Sequence, residues 1–347
     1  MKKILLFLLK VFISLAILGF LVFQAMQAKD AEGSSVFLKL SEGEKNWGFL
    51  AAGAFFTFFA VFMTILRWQL LVRVQGLPVK CMDTLRIGFI GYLFNLAPMG
   101  IVGGDLLKAW LLTKRQKAYD NHAGTKILAS IFMDRIIGLY ALFILASAGL
   151  FLSGTFTAPN ISPVIFHTGI GVCALAVIGT VAFFILLGPD VTDGKTIRKI
   201  GTIPRIGAPV EKLILYIRQY QNHLGTLFFA ILQSVLIHIL FSISIFFLML
   251  GIFNQSIPFL EMLWVSPTCM SASAIPLPCG PYEVALDFLL AQYPGIIAGY
   301  GLVLALAYRL VTLLVASLGV IFYFSAKKEI REVVKEHSLQ QEQKTPE

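Results

Sequence analysis

The chain has 347 residues, 57% of them hydrophobic and 14% charged, with 28 Lys and Arg against 19 Asp and Glu for a formal net charge of +9. Soluble domains carry roughly 25% charged residues, so this composition, with a mean hydropathy of +0.81, excludes a soluble catalytic domain and points to a polytopic helical membrane protein. Nucleic acid is excluded as the partner of the basic charge, because the cations sit in short loops beside apolar spans, as expected where a protein faces an anionic cytoplasmic leaflet.

A helical span needs about 20 apolar residues. In chain order the candidates are 4–24, 47–66, 127–152, 164–187, 226–250 and 297–325. The first follows Lys2 and Lys3 and resembles a signal peptide, but its apolar run is long and no small-residue cleavage site follows, so it is expected to remain as a helix. Two weaker apolar regions, 87–107 and 258–293, are rich in Gly or Pro. The residues beyond 325 form a polar tail, a helical extension expected to fray.

The positive-inside rule arranges these segments. Lys2 and Lys3 place the N-terminus in the cytoplasm, and the second helix returns the chain to Arg67, Arg73, Lys80 and Arg86. A full crossing by 87–107 would expose Lys108, Lys114, Arg115, Lys117 and Lys126 on the outside. A re-entrant hairpin keeps them inside. The basic loop 188–223, with a short amphipathic helix expected over Val210–Tyr220 on the membrane surface, is cytoplasmic, and 258–293 must then enter and leave from outside. The expected fold is all-α, with six transmembrane helices and two opposed re-entrant hairpins arranged as an inverted repeat. The transmembrane domain would cover 1–325 and the tail 326–347, with both termini on the cytoplasmic side of a plasma membrane.

The two broken regions align without a gap. Pro98 through Leu112 matches Pro276 through Leu290, with Asp105 on Glu283, Trp110 on Phe288 and Leu-Leu on Leu-Leu. Irregular backbone and a charge inside a bilayer both point to a binding site or path, and paired broken segments are a transporter signature. Asn95, Pro98, Gly100, Gly103, Gly104 and Asp105 form the first break. Asp105 would either cap a half-helix or hold a lysine head group, a counter-ion or a proton. Asp134 and Arg135 project about 100° apart on a helix, so each needs another partner. Asp105 is a candidate for Arg135, and Glu283 for Arg309. Two buried ion pairs fixing the helix packing are the alternative to a substrate site. Arg67 and Trp68 end the second span, either as an interfacial anchor or, for Arg67, as a phosphate contact at the cytoplasmic mouth. His238 reads as a packed, hydrogen-bonded histidine or a proton relay. No cofactor or metal is expected. The four cysteines have no metal spacing and read as free thiols, and no hydrolase elbow, P-loop or HExxH motif is present.

These residues carry a family resemblance. Arg67-Trp68-x-x-Leu71, Asn95 through Gly103-Gly104-Asp105, Asp134-Arg135-x-x-Gly138-Leu139, Pro278-x-Gly280-x-x-Glu283 and Arg309 together resemble the lysylphosphatidylglycerol synthase transmembrane, flippase-like family, over about residues 5–325. The resemblance implies a membrane unit of the kind that, in the best-known members, moves aminoacylated phospholipid between leaflets. In the best-known members it is fused to an aminoacyl-transferase domain, which this chain lacks, so lysyl transfer is not implied. Pro281-Tyr282 and Ala97 depart from the family pattern at the hairpin tips. The expected function is movement of a phospholipid or lipid-linked anionic head group, with Asp105, Arg135, Glu283, Arg309, Gly103, Gly104, Asn95 and Asp134 as substrate-binding residues. An accessory subunit that presents a lipid carrier to a separate glycosyl- or aminoacyl-transferase is an alternative, as is a small-solute or ion transporter. An intrinsic enzyme is not expected.

Overall fold

The computed structural model describes residues 2–29, 35–36, 40–41, 43–95, 101–117, 119–159, 161–187, 207–275, 277 and 279–342. The proline-glycine tip Pro98–Gly100, Pro276, Pro278, residues 188–206 of the basic loop and the last five residues of the tail lie outside the described residues.

Helix follows helix: α1 (Lys2–Gln27), α2 (Trp47–Val74), α3 (Cys81–Asn95), α4 (Ile101–Gln116), α5 (Ala123–Leu152), α6 (Pro163–Leu187), α7 (Gly207–Arg218), α8 (Leu224–Phe253), α9 (Phe259–Ser271), α10 (Pro281–Leu290) and α11 (Tyr300–Glu342). An isolated bridge joins Lys29 to Ser35, and the described residues form no strand. Among the described residues, five helical runs are long and apolar enough to cross a membrane: Trp47–Val74, Ala123–Leu152, Pro163–Ile185, Glu211–Phe253 and Tyr300–Phe324. At about 1.5 Å per residue, α3 and α4 are only about 22–24 Å long, and α9 and α10 about 15–20 Å. None of these four reaches across a hydrocarbon core of roughly 30 Å.

Local chemistry sets the ends. Asn46 caps α2, its side chain accepting from the Phe49 N–H at 3.2 Å. Asn254 stops α8 in the left-handed conformation, φ +53°, and its amide donates to the Glu44 carbonyl at 2.8 Å, tying the loop before α2 to the end of α8. Gly280 opens α10 at φ +114°, a conformation that L side chains rarely adopt, and Pro281 follows at the first helical position, where its missing N–H costs nothing.

The packing is symmetric under exchange of two sets of four helices. α2 runs against α8 at the centre. α2 meets α3 as α8 meets α9, α3 meets α4 as α9 meets α10, and α4 meets α5 as α10 meets α11. Across the centre, α3 lies on α11 and α9 on α5. Small residues permit these close approaches. A Cβ at Gly319 would collide with the Phe89 carbonyl where α11 crosses α3, and one at Gly149 would lie 3.0 Å from the Leu263 carbonyl carbon where α5 crosses α9. On the α2–α8 seam, Thr57 Oγ1 and Ser244 Oγ share a hydrogen bond of 2.6 Å, and Ser244 Oγ donates to the Gly53 carbonyl at 2.8 Å. α1 sits outside this arrangement, with light contacts to α10 and α11.

The expected amphipathic segment is present as α7 plus a 3-10 turn at Gln219–His223. Its apolar face is turned towards protein as well: Ile217 and Tyr220 are buried with Leu71, Ala129 and Met133, and Tyr220 Oη donates to the Leu71 carbonyl at 2.9 Å. The last helix continues without a break to Glu342.

Candidate functional site

Three charged assemblies lie among these helices. The first joins α2 to α5 and α8. Arg67 Nε donates to Asp134 Oδ1 at 2.8 Å, and Arg67 Nη1 donates to Ser234 Oγ at 2.7 Å. Gly138, one turn after Asp134, leaves the guanidinium room, since a Cβ there would stand 3.3 Å from Nη2. This corrects the expected place of Arg67. α2 continues past it to Val74, and Arg67 is 5% exposed rather than standing at a helix end. Trp68 is also buried, its Nε1–H donating to Ser130 Oγ at 3.2 Å, so it is no part of an interfacial belt. Sequence alone ended the span at the charge. A guanidinium satisfied by partners on two other helices lets the span run through it.

The second assembly centres on Asp105, on the first half of α4. Its Oδ2 accepts from Arg135 Nε at 2.9 Å and Nη2 at 2.5 Å, and its Oδ1 accepts from Lys108 Nζ at 3.2 Å. The expected pairing with Arg135 is therefore present. Lys108 was missed, because counting charges for topology put it in the cytoplasmic cluster. The available signal was its spacing, three residues after Asp105 on one helix. Its stem lies across Gly91 of α3, where a Cβ would collide with it, and its ammonium stands 5.7 Å from the Trp68 ring centre. Gly104 lets α4 close onto α3, its Cα facing the Gly91 carbonyl and Asn95 Oδ1. No contact of Gly103 marks it as part of the site among the described residues.

The third assembly is in the second half. Glu283 is fully buried, takes Arg309 Nε on Oε1, and accepts the Gly280 N–H on Oε2 at 2.7 Å. The helix-cap role considered for Asp105 is thus played by Glu283. Asp287, four residues on, is also buried. Its Oδ1 accepts the N–H groups of Gly299, Gly301 and Leu302 at 2.7, 3.0 and 3.2 Å, capping α11.

The first two assemblies share a cavity of about 470 Å³. Arg67, Lys108, Asp134, Arg135 and Asn95 line it on one side, with Ser271, Ser273 and Ala274 from the end of α9 and the turn after it. Val61, Ile65, Leu142, Ile237 and Phe241 supply an apolar wall. His238 also faces it. Its Nε2 is 3.0 Å from the Gly138 carbonyl, and since a carbonyl only accepts, that nitrogen carries a proton. Glu283 and Arg309 do not line this cavity. The structure brings together Arg67, Asn95, Asp105, Asp134 and Arg135, and keeps the Glu283–Arg309 pair apart from them. The four cysteines are free.

Helical spans, short paired helices and buried ion pairs around a cavity define a polytopic helical membrane protein. The model of the family described as lysylphosphatidylglycerol synthase TM region matches residues 7–319, and the chain belongs to that family. No curated protein and no solved structure matches the chain.

Proposed function

We propose that this protein moves a lipid with an anionic phosphate head group between the leaflets of a bacterial plasma membrane. The observation that carries the reading is the cavity itself. It lies among membrane-spanning helices, has a largely apolar lining, and is lined by Arg67, Lys108 and Arg135 with Asp134, while Asp105 is bonded to Lys108 and Arg135 without lining it. Arginine and lysine are the side chains suited to phosphate, and an intramembrane ionisable cluster marks a substrate path by default.

The topology belongs to the same proposal: six spans, two re-entrant hairpins built from α3–α4 and α9–α10, and an inverted repeat with both termini in the cytoplasm. It is supported by the shortness of those four helices, by the exchange symmetry of their packing, and by a carboxylate–arginine pair in each half. The anionic cytoplasmic leaflet is the partner of the basic loops.

The test is leaflet exchange. Purified protein in liposomes carrying fluorescent lipids is exposed to dithionite, which bleaches only the outer leaflet. Exchange above that of empty liposomes, reduced in Arg135→Gln, supports the proposal. Absence of exchange from well-folded protein, with every head group tried, overturns it in favour of a subunit that presents lipid to a partner.

A further inference from the structure

α5 carries a charged residue in a position that packing does not require. Leu128, Phe132 and Leu139 are 45%, 49% and 46% exposed, and the Arg135 side chain is 47% exposed. At about 100° per residue, these four side chains fall within roughly 60° of arc on one helix face. The neighbouring arc on one side holds Asp134, Gly138 and Leu142, which line the cavity. On the other side, Tyr140 stacks on Phe183 of α6, ring centres 5.1 Å apart. Leu139 lines the cavity as well, so Arg135 and Leu139 together stand where the exposed face of α5 meets the cavity, with Leu128 and Phe132 on the exposed face alone. Leu106, next to Asp105 on α4, is 57% exposed.

The charges around this edge do not cancel. Arg67 and Asp134 are closed on each other and on Ser234. Lys108, Arg135 and Asp105 remain, with a sum of +1. Uncompensated charge in a low-dielectric site is costly, so the occupant that fits best carries one negative charge. A phosphodiester without an amine has that charge. A zwitterionic or aminoacylated diester leaves positive charge over, and a pyrophosphate leaves negative charge over.

Resting on the lipid-transport reading above, we infer that the edge between α4 and α5 is a lateral portal for an amine-free phosphodiester lipid. Its phosphate meets Arg135 and Lys108 in competition with Asp105, and its acyl chains lie along Leu128, Phe132 and Leu139. Asp105 acts as a resident anion that holds the two cations in place and yields them to the substrate. Arg135 is the charged residue on α5 that both the exposed face and the cavity reach.

The test is photo-crosslinking, which needs no movement across the membrane. The full chain is placed in phosphatidylcholine nanodiscs doped with photoactivatable phosphatidylglycerol, phosphatidylethanolamine or a polyprenyl pyrophosphate, and adducts are mapped by mass spectrometry. Phosphatidylglycerol is expected to label residues 128–139 about tenfold more than the other two, the ratio that one charge-assisted contact of roughly 1.4 kcal/mol supports. Arg135→Gln should remove the preference and Arg135→Lys should keep most of it. The ranking should move with the charge sum: Asp105→Asn, at +2, towards the pyrophosphate, and Lys108→Met, at zero, towards phosphatidylethanolamine. Only variants whose melting in detergent matches the wild type are compared. Labelling spread evenly over α5 and the exposed face of α6, or a ranking that ignores the charge sum, overturns the inference. Selective labelling with no leaflet exchange keeps the portal and defeats transport. Exchange without selective labelling does the reverse.

Discussion

Asp134 and Arg135 are neighbours in sequence with no partner in common: Asp134 binds Arg67 of α2, while Arg135 binds Asp105 of α4. One helical step of about 100° sends one side chain into the core and leaves the other half exposed at the edge of the cavity. α5 thereby ties together two elements that approach it from different sides, and the two charges have different energetic roles.

The inner pair is structural in its first consequence. Arg67 and Asp134 side chains are 6% and 12% exposed. Arg67→Ala leaves a buried carboxylate without its cation, and removing one partner of a buried pair costs about 3–5 kcal/mol. The melting midpoint in detergent should fall sharply, and Arg67→Met/Asp134→Leu should recover most of the loss. A single variant as stable as the wild type would show that the pair is not holding α2 to α5.

The second-half pair should behave more mildly. Glu283→Gln keeps an acceptor for the Gly280 N–H but leaves Arg309 unpaired. Arg309 is 34% exposed, so water or a head group can reach it, and a loss of about 2 kcal/mol, below the fully buried case, is expected. The double variant Glu283→Gln/Arg309→Gln keeps the cap and removes the unpaired guanidinium: recovery of most of the loss assigns the cost to the unpaired charge, and no recovery shows that the charge is not its source.

Gly104→Ala tests the closure of the first hairpin. The new methyl group would meet the Gly91 carbonyl and the Asn95 side chain, and backbone on the facing helix yields poorly. Overpacking of this kind costs about 1–3 kcal/mol, and lower yield of folded protein on size-exclusion chromatography is the readout. Gly171→Ala, where a Cβ meets nothing within 4 Å, is the control and should be silent.

Asp287 caps α11 through three backbone N–H groups. Asp287→Ala removes them all, and loss of an N-terminal cap costs about 0.5–2 kcal/mol. Hydrogen exchange should rise first at residues 299–303. Uniform exchange across the whole chain would mean that the cap does not act locally.

The charges inside the membrane were the most legible part of the sequence. A carboxylate or guanidinium in lipid must find a partner, and that requirement alone suggested Asp105 with Arg135 and Glu283 with Arg309. It did not tell which residues share a cavity, because that depends on how α9 turns its end towards α3. Arg67 and Lys108 were misplaced for a common reason. Topology rules treat a cation as belonging to a loop, whereas Gly138 and Gly91 make room for these two inside the fold. Cavities left by missing side chains have no periodic signature.

Lys108 stands opposite Leu286 when the two broken regions are aligned, so the surplus cation belongs to one half only. Moving an elementary charge through the membrane field takes about 2.3 kcal/mol per 100 mV. A cluster that carries +1 when empty and is cancelled by its ligand is electrically silent on the loaded stroke. A membrane voltage would then act on the return of the empty protein, setting the pace of the cycle without choosing its cargo.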